Sequence, residues 1–217
     1  MNSKIFNTHH ITIDKLSLAK LPCASFGKDV IVIDNVEDVD SAIDELEEAA
    51  ILGFDTETKP AFRKGVVNKV SLMQLSTSDK CFLFRLNKIG FHERLIKLLE
   101  NPAQLKVGLS LRDDFHNLNK LRKLEPAGFI DLQKYVKEFH IADSSLTRIH
   151  AILFGERISK GQRLSNWEAD TLTDSQKNYA ALDAYVCIRI YKHLVENKFD
   201  PFTSPYLQPI PVPENEE

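Results

Sequence analysis

The sequence holds only three cysteines, Cys23, Cys81 and Cys187, among 217 residues. They are odd in number, widely spaced and form no C-x-x-C pair, which argues against a disulfide framework or a thiolate zinc site. Buried free thiols in a reducing compartment are expected instead. Long apolar runs are also missing: stretches such as "VIVI" at 30–33 fall far short of the ~20 residues that cross a bilayer. The start, "MNSKIFNTHH", lacks the charged and apolar regions of a signal peptide. The expectation is a soluble intracellular protein, cytoplasmic if bacterial, with no membrane partner. Positive charge is not in excess either. A formal net charge of −3 argues against a non-specific polyanion binder, although cations gathered in an acidic cleft would reverse the sign locally. No internal repeat is visible.

What is present is enough apolar residue for one core, 43% of the chain, so a single domain with terminal extensions is expected. Residues 1–27 show no strong period and read as an extension with a short strand near "HHITI". "DVIVID" at 29–34 reads as a strand, and Val36, Val39, Ile43, Leu46 and Ala50 form a helical stripe after it, with Asn35 suited to the helix start. "AILGFDTE" at 50–57 reads as a strand buried on both faces up to its end. "VVNKVSLMQLS" and "KCFLFRL" read as a hairpin or meander. A helix at "FHERLIKLLEN", a strand at "QLKVGLS", a helix at "LRDDFHNLNKLRKL" and a short strand at "AGFIDL" follow. The chain from Gln133 to Asn197 reads mainly as helices. Strands with interleaved helices and a helical C-terminal half predict an α/β domain over 28–197 with a mixed sheet. Residues 198–217, rich in proline and acid, read as a poorly ordered tail.

The strand end "FDTE" at 54–57 carries the first chemical signal. Side chains two apart in a strand share a face, so Asp55 and Glu57 aim at one spot, where two like charges raise a pKa or call for a cation. An Asp-x-Glu alone arises by chance on the order of once in so acidic a chain. Further acids are expected at the same edge. Asp113 and Asp114 follow a strand, and Asp183 lies one helical turn after Tyr179. Four carboxylates in one pocket would repel prohibitively unless two divalent cations compensated them. Oxygen-only donors favour Mg2+ or Mn2+ over zinc, and such a pair suits phosphodiester cleavage. Tyr179, neutral at pH 7, suits orienting the attacking water rather than taking its proton.

"FDTE" at 54–57, an aspartate in a V-G-x-x-x-x-x-D context at 107–114, and Y-x-x-x-D at 179–183 resemble the three motifs of the DnaQ-like 3'-5' exonucleases, tyrosine (DEDDy) subclass. The resemblance spans about 29–197. Within that superfamily, "KVSLMQLSTSDKCFLFRL" and "LSNWEADTLTDSQKNYAALDAY" are most similar to the exonuclease domain of the Werner syndrome protein and more distantly to ribonuclease D. The resemblance implies a ribonuclease H-like α/β fold with a mixed five- to six-stranded sheet flanked by helices. It makes Asp55, Glu57, Asp114 and Asp183 ligands of two Mg2+ or Mn2+ ions and Tyr179 the water-orienting residue, all five catalytic. The implied reaction is hydrolysis of terminal phosphodiesters to nucleoside monophosphates. The 3' end of a DNA single strand or recessed end is the favoured substrate, with RNA trimming of the ribonuclease D kind or a catalytically silent nucleic-acid-binding module as alternatives. Basic residues near the motifs, Lys59, Arg63, Lys64, Arg112, Lys160, Arg163 and Lys177, together with His116, are candidates to hold the strand. Trp167 reads as a packing anchor.

Overall fold

The computed structural model describes residues 5, 8–63, 65 and 67–210; Lys64 and the tail end 211–217 lie outside these. In chain order the elements are β1 (His9–Ile11), α1 (Lys15–Lys20), β2 (Asp29–Ile33), α2 (Val39–Glu47), β3 (Ile51–Thr58), β4 (Val70–Ser76) and β5 (Lys80–Phe84). Then come α3 (Leu86–Ile89), α4 (Glu93–Glu100), β6 (Leu105–Gly108), α5 (Leu111–Asn119), β7 (Phe129–Asp131), α6 (Leu132–Tyr135), α7 (Leu146–Phe154), α8 (Asp174–Val195) and β8 (Leu207–Pro209).

Six strands form a mixed sheet in the order β2-β5-β4-β3-β6-β7. The meander β3-β4-β5 is antiparallel, while β2 joins β5 and β6 and β7 join β3 in parallel. The expected mixed sheet flanked by helices is therefore observed. Alternation along β3 and β4 sends residues to two separate cores. Leu72, Val107, Ala184 and Ile188 lie in one with α8, and Leu52, Phe54, Met73 and Phe82 lie in the other with α2 and α4. Burial on both faces explains why the central strands read as continuous apolar runs.

Four expectations need correction. Val36 is exposed rather than part of the α2 stripe, because a 3-10 turn over Val36–Asp38 precedes the helix and breaks the period. Cys23 is exposed, leaving only Cys81 and Cys187 buried. The chain between α7 and α8, Gly155 to Thr173, is irregular rather than helical, consistent with its polar, glycine-containing sequence. Finally, the N-terminal segment and part of the tail are packed. β1 pairs antiparallel with β8, and Ile11, Ile13 and Phe26 are buried in the α8-side core. Strands of three residues are too short to show a period, and proline masks the tail strand.

Candidate active site

A strand buried on both faces ends here in two carboxylates. β3 is fully buried from Ile51 to Phe54 and partly buried from Asp55 onward. Its pairing with β6 stops at Gly53↔Val107, so the last residues of β3 run past β6 and leave that edge open. Asp55 and Glu57 therefore sit where the core ends.

The long helix α8 closes one side. It starts at a capping box, in which the Thr173 hydroxyl accepts from the Gln176 N–H and the Gln176 side chain accepts from the Thr173 N–H. Close approach to β3 is permitted by Gly53, where an added Cβ would lie 1.9 Å from the Ala184 carbonyl oxygen. That approach carries Asp183, buried, and Tyr179, half-buried, to the strand end. Asp55, Glu57 and Asp183 each offer a carboxylate oxygen, and these oxygens lie within 4.8 Å of one another.

Asp114 arrives from the other side of β3 on the first turn of α5, where its carboxylate accepts a hydrogen bond from the Thr56 hydroxyl. Asp113, its neighbour, is exposed. The register of α5 is fixed at Ser110, which holds a left-handed conformation (φ 60) and donates its N–H to Asp131 Oδ1 at 2.9 Å. A non-glycine residue held there points to a functional constraint.

Burial and neighbouring acids dominate the electrostatics of the site. Burial, then the charges of Asp183 and Asp114, push Glu57 up to about 8. Burial raises Asp183 to about 7 against the hydrogen bond from Tyr179, and raises Asp114 to about 6. Asp55 lies well above the carboxylate range, through burial first and the neighbouring acids second. Arg163 pulls Glu57 the other way. Tyr179 is raised by burial and by Asp183, so its phenol stays protonated. Hard oxygen donors crowded this closely suit divalent cations, and the residues present therefore fit a metal site.

The candidate strand contacts divide. Lys160 and Arg163 share a cavity of about 160 Å³ with Tyr179 and Asp183. Lys59 instead pairs with Glu168 at 3.1 Å, tying the loop after β3 to the segment before α8. Lys177 pairs with Asp174 at 2.9 Å, Arg112 lines a separate cavity with Asp113 and Asp131, and His116 and Arg63 are exposed. Trp167 is fully buried and stacks on Tyr179, with centroids 6.2 Å apart. Sequence reading missed Thr56, Ser110 and Asp131, because their roles depend on which strand edges meet.

A family model described as 3'-5' exonuclease matches residues 30–197. The chain belongs to the 3'-5' exonuclease family. Its relatives include the mouse bifunctional 3'-5' exonuclease/ATP-dependent helicase WRN, 32% identical over 69% of this chain and 11% of the mouse protein. An Arabidopsis thaliana 3'-5' exonuclease is 31% identical over 67% of this chain and 52% of that protein. The chain thus spans between a tenth and about half of these relatives. Among solved structures, the Aedes aegypti Nibbler EXO domain superposes with a TM-score of 0.72 at 23% identity, covering 83% of this chain and 96% of the other. Escherichia coli RNase D superposes at 0.70 with 20% identity, covering 78% and 45%. These likenesses show a shared exonuclease fold. Among the described residues, no helix of this exonuclease-family chain is long and apolar enough to cross a membrane.

Proposed function

We propose that this chain removes nucleotides from the 3' end of a nucleic acid strand by hydrolysing the terminal phosphodiester with two divalent cations, Mg2+ or Mn2+. Asp55, Glu57, Asp114 and Asp183 would hold the cations. When bound, these would activate the attacking water and steady the leaving oxygen. The observation that carries the reading is the convergence of Asp55, Glu57 and Asp183 oxygens within 4.8 Å, with Asp114, bonded to Thr56, near enough for its charge to raise Asp55 and Glu57.

The protein's own groups have separable tasks in this reading. The neutral Tyr179 hydroxyl, bonded to Asp183, orients the water through a hydrogen bond. Trp167 fixes the tyrosine ring. Lys160 and Arg163, exposed at the cavity that Tyr179 and Asp183 line, attract the scissile phosphate and its neighbour. Lys59 and Lys177, already paired with Glu168 and Asp174, Arg112, which lines a separate cavity, and the exposed Arg63 and His116 are weaker candidates; Lys64 lies outside the described residues.

DNA is our preferred substrate, on the resemblance to the Werner exonuclease domain and the relative joined to a helicase. RNA is the second reading, supported by the likeness to Trypanosoma brucei RNase D solved in complex with RNA U12, TM-score 0.68. Digestion of 3'- and 5'-labelled single-stranded and recessed DNA beside matched RNA, in Mg2+, Mn2+ and chelator, tests both. A metal-dependent ladder shortening from the 3' end, faster on DNA, is expected. A faster RNA ladder would favour the second reading, and no cleavage by folded protein would sink the first and second together.

A further inference from the structure

Gln74 lies in the middle of β4 with 0% of its surface exposed. Neither Nε2 nor Oε1 has a hydrogen-bond partner. A buried amide left in this state is costly to the fold, so an apolar side chain would serve the fold better there. Such a group in a native protein calls for an explanation.

The strand register supplies one. Gln74 is directly opposite Asp55 across the antiparallel β3–β4 pair. Opposed side chains share a face with Cβ atoms about 4.5–5.5 Å apart. That face is the one α8 covers, since Gly53, two residues before Asp55, meets Ala184. The Asp55 carboxylate already accepts from the Thr56 backbone N–H. Behind it lie Cys81 and Cys187, whose thiols are pushed up by burial and also feel the charge of Asp55. Thiols are weak donors. Gln74, directly opposite Asp55, offers a stronger donor, whereas the Ser76 hydroxyl on the same face is turned to the Thr77 and Lys80 carbonyls; an amide adds no charge to an already crowded cluster.

We propose that Gln74 is a positioning residue for Asp55, its amide nitrogen donating to the Asp55 carboxylate when that carboxylate holds divalent cations. The inference rests on the metal-site reading above. An ionised carboxylate has about four lone-pair sites, and a donor on the side away from the cations fixes its rotamer. Outer partners of this kind typically change metal affinity or activity by about 10–100-fold when removed. On this account the amide is retained, at a cost to the fold, for the bond it makes to the cation-holding carboxylate.

The test is Gln74→Met in the full chain, followed by Mn2+-dependent thermal melting and by single-strand digestion. With chelator the variant is expected to melt at or above wild type, because an unpartnered amide is replaced by an apolar chain of similar length. With Mn2+ it should need about 10–100-fold more metal to reach half of its melting shift, and turnover should fall by a similar factor with KM for the strand unchanged. Met73→Leu, on the opposite face of the same strand, should keep wild-type Mn2+ dependence. If Gln74→Met does not fold, Gln74→Asn, whose amide is one methylene short, is expected to show the same loss. Wild-type Mn2+ affinity in the folded variant would overturn this inference alone. Absence of any Mn2+ effect on the wild-type protein would overturn the metal-site reading and this inference with it.

Discussion

At the scale of single residues, the acids and the tyrosine make opposite predictions for stability and for chemistry. Asp183 is buried among like charges, so Asp183→Asn should raise the melting temperature in chelator, by about 2–4 °C for each kcal/mol of repulsion relieved. The same variant should lose more than ~100-fold in turnover, beyond what an outer partner contributes, and lose the Mn2+-induced melting shift. Calorimetry with and without metal, beside a digestion assay, checks both signs. Tyr179→Phe keeps the ring that stacks on Trp167 and removes only the hydroxyl. Turnover is expected to fall about 10–100-fold, below the range of true acid–base loss, with the fold and KM intact; a wild-type rate would remove Tyr179 from the mechanism.

At the scale of elements, the site depends on how closely α8 lies against β3. Gly53 is what allows it, since any Cβ there would meet the Ala184 carbonyl, which is backbone and cannot rotate away. Gly53→Ala should therefore cost about 1–3 kcal/mol or more and move Asp183 off Asp55 and Glu57. Urea denaturation should show a lower midpoint, and metal binding should weaken together with it. Retained Mn2+ affinity at wild-type stability would mean that the helix does not set the site. The sequence showed a glycine inside an apolar strand, yet which helix atom it faces was not readable from it.

At the scale of the whole molecule, charge and the chain ends matter most. Glu57, Asp183 and Asp114 are raised to about 8, 7 and 6 in the folded state. Between the unfolded carboxylate pKa near ~4 and these values, the folded chain binds more protons than the unfolded one. Stability must then fall as pH rises. In chelator the melting temperature is expected to be highest near pH 5 and to drop toward pH 8. Saturating Mn2+ should reverse the slope, because binding displaces the retained protons; at 100 times Kd it adds about 2.7 kcal/mol. A flat profile in chelator would contradict the clustering. The termini yield a separate expectation. Removing residues 1–13 would strip Ile11 and Ile13 from the core, at about 1.5–3 kcal/mol each, visible as a lower urea midpoint with unchanged turnover per folded molecule.

The sequence by itself determined the strands of the six-stranded sheet and several of the helices, which rest on local alternation and helical spacing, and its motifs carried the resemblance to the exonuclease family and the expected site: Asp55 and Glu57 two apart in β3, a turn of helix between Tyr179 and Asp183, and a glycine before the Asp113–Asp114 pair. Only the tertiary structure decided what depends on elements distant in sequence meeting. It placed Asp114 rather than Asp113 against Thr56, drew Lys160 and Arg163 to the cavity while tying Lys59 to Glu168, and joined β1 to β8. It also set Gln74 opposite Asp55. Register across strands and the pairing of side chains from separate elements are fixed by the packing of the entire chain, and no local pattern encodes them.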